Sequence, residues 1–221
     1  MNPLNPGDVI GRAFTIYRDN AGALVAAAFI VFAITAIAEL VFDEGALMII
    51  ASAIGLIASV FYQGMVVRLV DDVRDGVRDA SLDTLFKSVA PVALPLFLLS
   101  IVVTIGLFFG FLLLIVPGLF LLTIWAVAAP VVVIERKGVF EALGRSHELV
   151  KGNAWNVFGV IVLMFILLIA VGIVGGAIGA VGGDVVSALV RLVATVFVAP
   201  LVALAAAVLY FTLRDVKEGV R

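Results

Sequence analysis

Cysteine is absent from the 221 residues and histidine occurs once, at His147. These absences exclude a disulfide framework, thiolate chemistry and any Cys-based metal site. Charge is scarce as well: 14% of residues are Asp, Glu, Lys or Arg, against about 25% in a soluble domain. The net charge is −2, with no basic run and no interleaving of basic and aromatic residues, so nothing points to nucleic acid. Asp8, Arg12, Arg18 and Asp19 crowd the first twenty positions, and the apolar run behind them lacks a clear cleavage site. A secretory leader is therefore not expected. What fills the sequence instead is hydrocarbon. The apolar share is 64%, against roughly 45–50% in soluble proteins. One small core cannot bury that much apolar surface, so the chain reads as an integral membrane protein.

A bilayer core takes about 20 apolar residues of helix, within a range of roughly 17–25. Six runs answer to this: 21–42, 46–67, 92–116, 119–134, 156–179 and 185–213. The third and fourth are joined at Pro117-Gly118, where proline ends a helix and glycine allows a tight turn, so a structural turn is expected there. Pro130 and Pro200 are expected to kink spans four and six, and Pro95 span three. Thirteen of the fourteen basic residues fall on one side of this arrangement; Arg191 alone falls on the other. The opposite loops are short and carry Asp43, Glu44 and Asp184. The positive-inside rule then makes both termini cytoplasmic and places the protein, multi-pass, in the plasma membrane.

The polar stretch at 135–153 matches the N-terminus. Setting Asp8 against Glu141 aligns Gly11 with Gly144, Arg12 with Arg145, Arg18 with Lys151, Asn20 with Asn153 and Ala21 with Ala154. Both segments are amphipathic at helical period. In the later copy Val139, Leu143, His147 and Val150 share a face opposite Glu141, Arg145 and Glu148; in the earlier, Ile10, Ala13, Phe14 and Tyr17 form the stripe. Asn5, Pro6 and Asp8 make a helix start, and Gly152-Asn153 a stop. A weaker middle copy follows Gly76, with Ser81 as cap and Leu82, Leu85, Phe86 and Val89 as its stripe. The expected architecture is one all-α transmembrane domain, 1–221, built as a threefold repeat over 1–67, 68–134 and 135–213. Each unit is a cytoplasmic interfacial amphipathic helix followed by a hairpin, giving a six-helix polytopic bundle.

The Pro117-Gly118 turn, Pro130, and the run Glu135, Glu141-Ala142-Leu143, Arg145-Ser146, Leu149 and Lys151-Gly152 carry a resemblance. Together with Tyr17-Arg18-Asp19-Asn20, they resemble the prokaryotic membrane proteins grouped with the glycerophosphodiester phosphodiesterase membrane domain and related uncharacterised six-span proteins. In named members this module is fused to a soluble phosphodiesterase domain that has no counterpart in these residues. The resemblance therefore implies the fold and leaves the enzymatic activity aside.

Few residues invite a chemical role. His147 with Glu148 lacks a second histidine and a His-Glu-x-x-His spacing, so neither metal nor catalysis is expected of it. Glu39 and Arg191 are the charges placed within spans, both near the outer ends; they are expected to form an interhelical ion pair, or else an outward-facing polar site. Arg12, Arg18, Arg145 and Lys151 are candidate contacts to anionic lipid headgroups or a partner protein, set against local pairing such as Glu141 with Arg145. Gly172, Gly176 and Gly179 are candidates for close helix packing, with Ala199, Ala203 and Ala207 opposite; Gly106 and Gly110 repeat the spacing. Oligomerisation is the alternative use of those glycines. No acidic residue lies near the middle of a span, which argues against proton- or sodium-coupled transport. The leading expectation is a non-enzymatic membrane module, without cofactor, that organises lipid or a partner protein at the cytoplasmic face. The alternative is a small permease for an apolar or lipid-like solute; an intramembrane enzyme ranks last.

Overall fold

The computed structural model describes residues 4–41, 47–76 and 82–219, and within them all side chains except those at positions 36, 39–41, 48, 82, 179, 182–188 and 191. Among the described residues the chain is helical throughout, with no strand. Its helices are α1 (Pro6–Asp19), α2 (Ala21–Val41), α3 (Leu47–Arg74), α4 (Leu82–Val89), α5 (Ala93–Leu113), α6 (Ile115–Ile124), α7 (Ala128–Glu135), α8 (Val139–Val150) and α9 (Ala154–Glu218). Five helical stretches are long and apolar enough to cross a bilayer: Ile49–Arg74, Asp83–Leu113, Ile115–Glu135, Ala154–Ile178 and Leu192–Glu218. A sixth candidate pairs α1 with Ala21–Thr35, which meet at 85°.

Local chemistry accounts for several helix ends. Asn5 caps α1, its side-chain oxygen accepting from the Gly7 N–H at 2.9 Å, with Pro6 at the first helical position and Asp8 in the first turn. Asn20 ends α1 and opens the corner, its amide donating to the Ile16 carbonyl at 3.0 Å. Gly76 and Gly152 take positive φ, +75° and +92°, just past the ends of α3 and α8, where a Cβ would be strained. Arg136 does the same at φ 53° behind α7.

The proline expectations divide. The reversal between α5 and α6 occurs at Leu114, whose backbone is extended (φ −167°, ψ 156°). The turn expected at Pro117-Gly118 is thereby corrected: both residues lie in the first turn of α6, where proline's missing N–H costs little. Gly118 instead lets two helices touch. Its would-be Cβ lies 2.4 Å from a ring carbon of Phe111, and a Cβ on Gly110 would lie 3.1 Å from Gly118 Cα. Pro95 likewise sits in the first turn of α5 and produces no mid-span kink. Pro130 does break span four: α6 stops at Ile124 and α7 starts at Ala128, where the ring of Pro130 would meet the carbonyl four residues back.

Two further departures concern the long elements. α4 passes through a three-residue 3-10 turn, Ala90–Val92, into α5, so Asp83–Leu113 is one 31-residue stretch without the sharp corner that separates α1 from α2. Pro91 sits inside that turn, and no glycine stop of the Gly152 kind intervenes. α9 is helical over 65 residues, yet Val190 Cγ1 lies 3.3 Å from where a Cβ on Gly175 would sit. The helix rise would separate these positions by about 22 Å in a straight helix, so the chain folds back between them. α9 therefore has two limbs.

α2 packs on α3, α5 on α6, and both α1 and α3 on α9. Burial concentrates at the end of the bundle that holds α1 and the last turns of α9: Val66, Val67 and Val70 of α3, Val131, Val132 and Val133 of α7, and Leu204, Tyr210, Phe211 and Leu213 of α9 are buried there. At the other end Phe108, Leu112, Leu113, Val116, Ile173 and Val181 are exposed. Hydrocarbon outside a membrane helix is as apolar as Leu, so such exposure carries no penalty.

Candidate functional site

The charged residues gather at the buried end. α8 lies against α5, α7 and α9, and the face it buries is Ala142, Leu143, Ser146, Leu149 and Val150. His147 is exposed, so the stripe is centred one residue earlier than the sequence periodicity implied. Ser146 explains the rotation. It is fully buried, donates to the Ile124 carbonyl at 2.8 Å and accepts from the Val127 N–H at 3.4 Å. The side chain thus closes the gap in backbone bonding at the α6–α7 break. In α1 Val9 and Ala13 are buried and Ile10 and Tyr17 pack partly buried on the core, so the expected stripe holds except at Phe14, which is exposed.

With Ser146 inward, Arg145 meets Glu135 at the end of α7. Arg145 Nε lies 3.2 Å from both Glu135 oxygens, and its Nη2 also pairs with Glu218 at the end of α9. Glu135 further accepts from Tyr210 Oη at 3.1 Å and pairs with Lys137 at 3.0 Å. Burial works against the Arg145 charge, but the bonds and charges of Glu135 and Glu218 outweigh it and hold its pKa above the ordinary arginine value. The Glu141–Arg145 pair, the alternative set against lipid contact, is not among the ion pairs of the described residues: Glu141 accepts from the Gly138 N–H at the start of α8 instead. Nearby, Arg68 donates to the Val133 carbonyl at 2.7 Å, tying α3 to the end of α7. Arg74 donates to both oxygens of Asp215 at 3.0 Å and lies 4.5 Å from the Phe211 ring centre, with Arg214 at 5.0 Å from the same ring.

Beside this network a groove of about 360 Å³ runs between α1, α3 and α9, lined by Arg12, Thr15, Arg74, Phe211, Thr212 and Asp215. Arg12 is exposed and has no hydrogen bond or ion pair among the described residues. A second cavity, about 850 Å³, lies deeper, between α2, α3 and the two limbs of α9. Phe32, Val60, Val171, Val198 and Val202 supply apolar walls, and Ser59, Gln63 and Thr195 are its polar residues other than the committed Tyr62.

The residues singled out in the sequence fall as follows. Arg12 borders the groove. Arg18 pairs with Asp19 at 3.2 Å on the exposed flank, and Lys151 is exposed past the end of α8. Arg145 is committed to the carboxylates of Glu135 and Glu218. Gly172 and Gly176 have no atom within 4 Å of a would-be Cβ and line the deep cavity, so they do not make the helix contact expected of them; Gly175 makes it, on Val190. The side chains of Gly179, Glu39 and Arg191 lie outside the described residues, and so does the Glu39–Arg191 pair. Glu135, Tyr210, Glu218 and Gln63 join these sites through tertiary contacts that no local motif marks. The one signal for Glu135 was an acid directly after an apolar run.

No family model matches the chain, and no solved structure matches it. The chain is 31% identical over 116 residues to a UPF0259 membrane protein of Pectobacterium carotovorum subsp. carotovorum (strain PC1), an alignment covering 52% of this chain and 46% of that relative. The chain thus spans about half the length of the curated relative it matches. With five to six helical stretches able to cross a bilayer, the protein is a multi-pass membrane protein similar to a member of an uncharacterised membrane family.

Proposed function

We propose that this chain is a non-enzymatic module of the plasma membrane that organises anionic lipid at the face bearing its termini. The observation that carries the reading is Arg12. It stands uncommitted on a helix lying at 85° to the next, above a groove that also holds Arg74, Thr15 and Thr212. A helix at that angle to a span runs along the headgroup region, and each basic residue there contributes about 1 kcal/mol of attraction to anionic lipid. Arg145, Glu135 and Glu218 form the frame that fixes the helix ends beneath it.

The same reading assigns six spans in three hairpins, cytoplasmic termini, a threefold repeat and the membrane architecture implied by the phosphodiesterase-domain resemblance. Support comes from Val9 and Ala142, and from Ala13 and Ser146: positions paired by the repeat are buried alike, while Phe14 and His147 are exposed alike. Because the chain has no cysteine, single cysteines report sidedness cleanly. Lys151→Cys should react with an impermeant maleimide only from the cytoplasmic side, and Asp184→Cys only from the outside; labelling of both from one side ends the six-span reading. For the lipid role, native mass spectrometry of the full chain from nanodiscs containing phosphatidylglycerol should show retained lipid that Arg12→Ala reduces. Equal retention by the variant refutes it.

A second reading, a permease for an apolar or lipid-like solute, is supported by the 850 Å³ cavity, which reaches Gln63 and Ala203 deep in the spans. Protein-dependent exchange of a fluorescent lipid between leaflets of a proteoliposome tests it; exchange no faster than in protein-free vesicles removes it.

A further inference from the structure

We propose that the cavity between α2, α3 and the two limbs of α9 binds one membrane amphiphile, a long hydrocarbon chain whose neutral hydrogen-bonding group is held by the Gln63 amide. Its volume, about 850 Å³, is in the upper part of the roughly 300–1,000 Å³ range of small-molecule sites. Small residues make the space: Gly172, Gly176 and Ala199 stand where larger side chains would fill it. The exposure of Gly172, Gly176 and Thr195 leaves its wall open to the surroundings of the helices, which for a membrane span means lipid.

Polarity then selects the guest. The Ser59 hydroxyl is spent on the Leu56 carbonyl at 2.9 Å, and the Tyr62 hydroxyl on the Leu24 carbonyl at 3.2 Å. Thr195 has a partner of its own. Gln63 has none among the described residues, although it lies within the apolar stretch Ile49–Arg74. An amide left unpaired in an apolar medium costs several kcal/mol, and it offers two N–H donors and an oxygen acceptor to whatever enters. The described lining contains no charged side chain, so a carboxylate or phosphate would enter unpaired and be disfavoured. A hydroxyl, ester or amide on a hydrocarbon chain meets both conditions.

This inference shares its cavity with the permease reading but requires binding alone. The test uses the full chain in nanodiscs and three photoreactive probes of equal length, each with a mid-chain diazirine: a long-chain alcohol, the matching alkane and the matching carboxylate. The alcohol should label peptides from 168–180 and 190–203 saturably and be displaced by unlabelled alcohol. Its half-saturating concentration should be about tenfold lower than the alkane's, the worth of one buried hydrogen bond. Gln63→Leu should erase that preference while leaving alkane labelling intact. Gly176→Phe, at a position with no atom within 4 Å of the new Cβ, should remove labelling by both while the protein stays monodisperse. Non-saturable labelling spread over the exposed 105–116 segment, carboxylate labelling as strong as the alcohol's, or a Gln63→Leu variant that keeps the preference would each overturn the proposal. Saturable labelling in a protein that moves no lipid between leaflets keeps it and removes the permease reading.

Discussion

Replacing Ser146 with alanine is the sharpest test of how this fold is held at its polar end. The hydroxyl donates to the Ile124 carbonyl at 2.8 Å and sits at a fully buried position. The Ile124 oxygen loses its usual helical partner because the Ala128 N–H is directed to Trp125 at 3.0 Å, and Pro130 keeps the helix from closing across the break. Removing the hydroxyl therefore leaves a buried carbonyl without a donor, and weakens the longer Val127 bond as well. A buried polar group left unsatisfied costs about 1–3 kcal/mol. At roughly 2–4 °C per kcal/mol for a chain of this size, the melting midpoint in detergent should fall by several degrees. Ser88→Ala is the control, because that half-buried hydroxyl bonds only the Leu85 carbonyl of its own helix at 2.8 Å and should cost far less. Hydrogen exchange should quicken at Val127 and its neighbours in the Ser146 variant alone. Equal stability of the two variants, with unchanged exchange at Val127, would refute the claim that α8 is oriented by this bond.

Three other outcomes follow from the same geometry. Glu135→Gln and Arg145→Gln, measured singly and together, should show a coupling of about 0.5–3 kcal/mol, since the pair is mostly buried (17% and 22% exposed); strict additivity would mean the network is ornamental. Gly118→Ala should destabilise by about 1–3 kcal/mol through the 2.4 Å approach to Phe111, while Gly144→Ala, with open space at its Cβ, should be neutral or stabilising in the same melt. Asn5→Ala should cost about 1 kcal/mol by uncapping α1, and accelerated exchange confined to the first turn of α1 is the readout.

How far the sequence reaches can be judged from particular residues. Asn5-Pro6, Gly76 and Gly152 were readable because capping is a matter of a few consecutive residues. Pro130 broke its span as expected, while Pro117 did not make the expected turn and Pro95 did not kink its span. A proline's effect depends on whether it falls in the first turn of a helix or inside it, and helix starts are poorly marked in uninterrupted hydrocarbon. The glycine spacing was borne out in part: Gly106 and Gly110 of α5 meet Trp125 and Gly118, and Gly175 meets Val190 on the other limb of α9, whereas Gly172 and Gly176 line a cavity. Small residues permit close approach, but which helix approaches is decided elsewhere. The expected faces of α1 and α8 held except at Phe14 and His147, which are exposed; in α8 Ser146 is buried in place of His147, because periodicity ranks side chains by polarity and a serine that supplies a missing backbone partner ranks low.

By itself the amino-acid sequence determined that this is a helical, multi-pass membrane protein, since apolar runs long enough to cross a bilayer permit little else. It also marked the start of α1 and the ends of α3 and α8, through contacts within one turn. Tertiary structure alone decided that Glu135 is shared among Arg145, Lys137 and Tyr210, and that among the described residues Arg12 stands uncommitted above a groove and Gln63 lines an apolar cavity without a partner. Those are outcomes of which helix faces meet across long separations of sequence, 75 residues between Glu135 and Tyr210 and 141 between Arg74 and Asp215. Local pattern carries no record of such pairings, because the energy that selects them arises only once the helices pack.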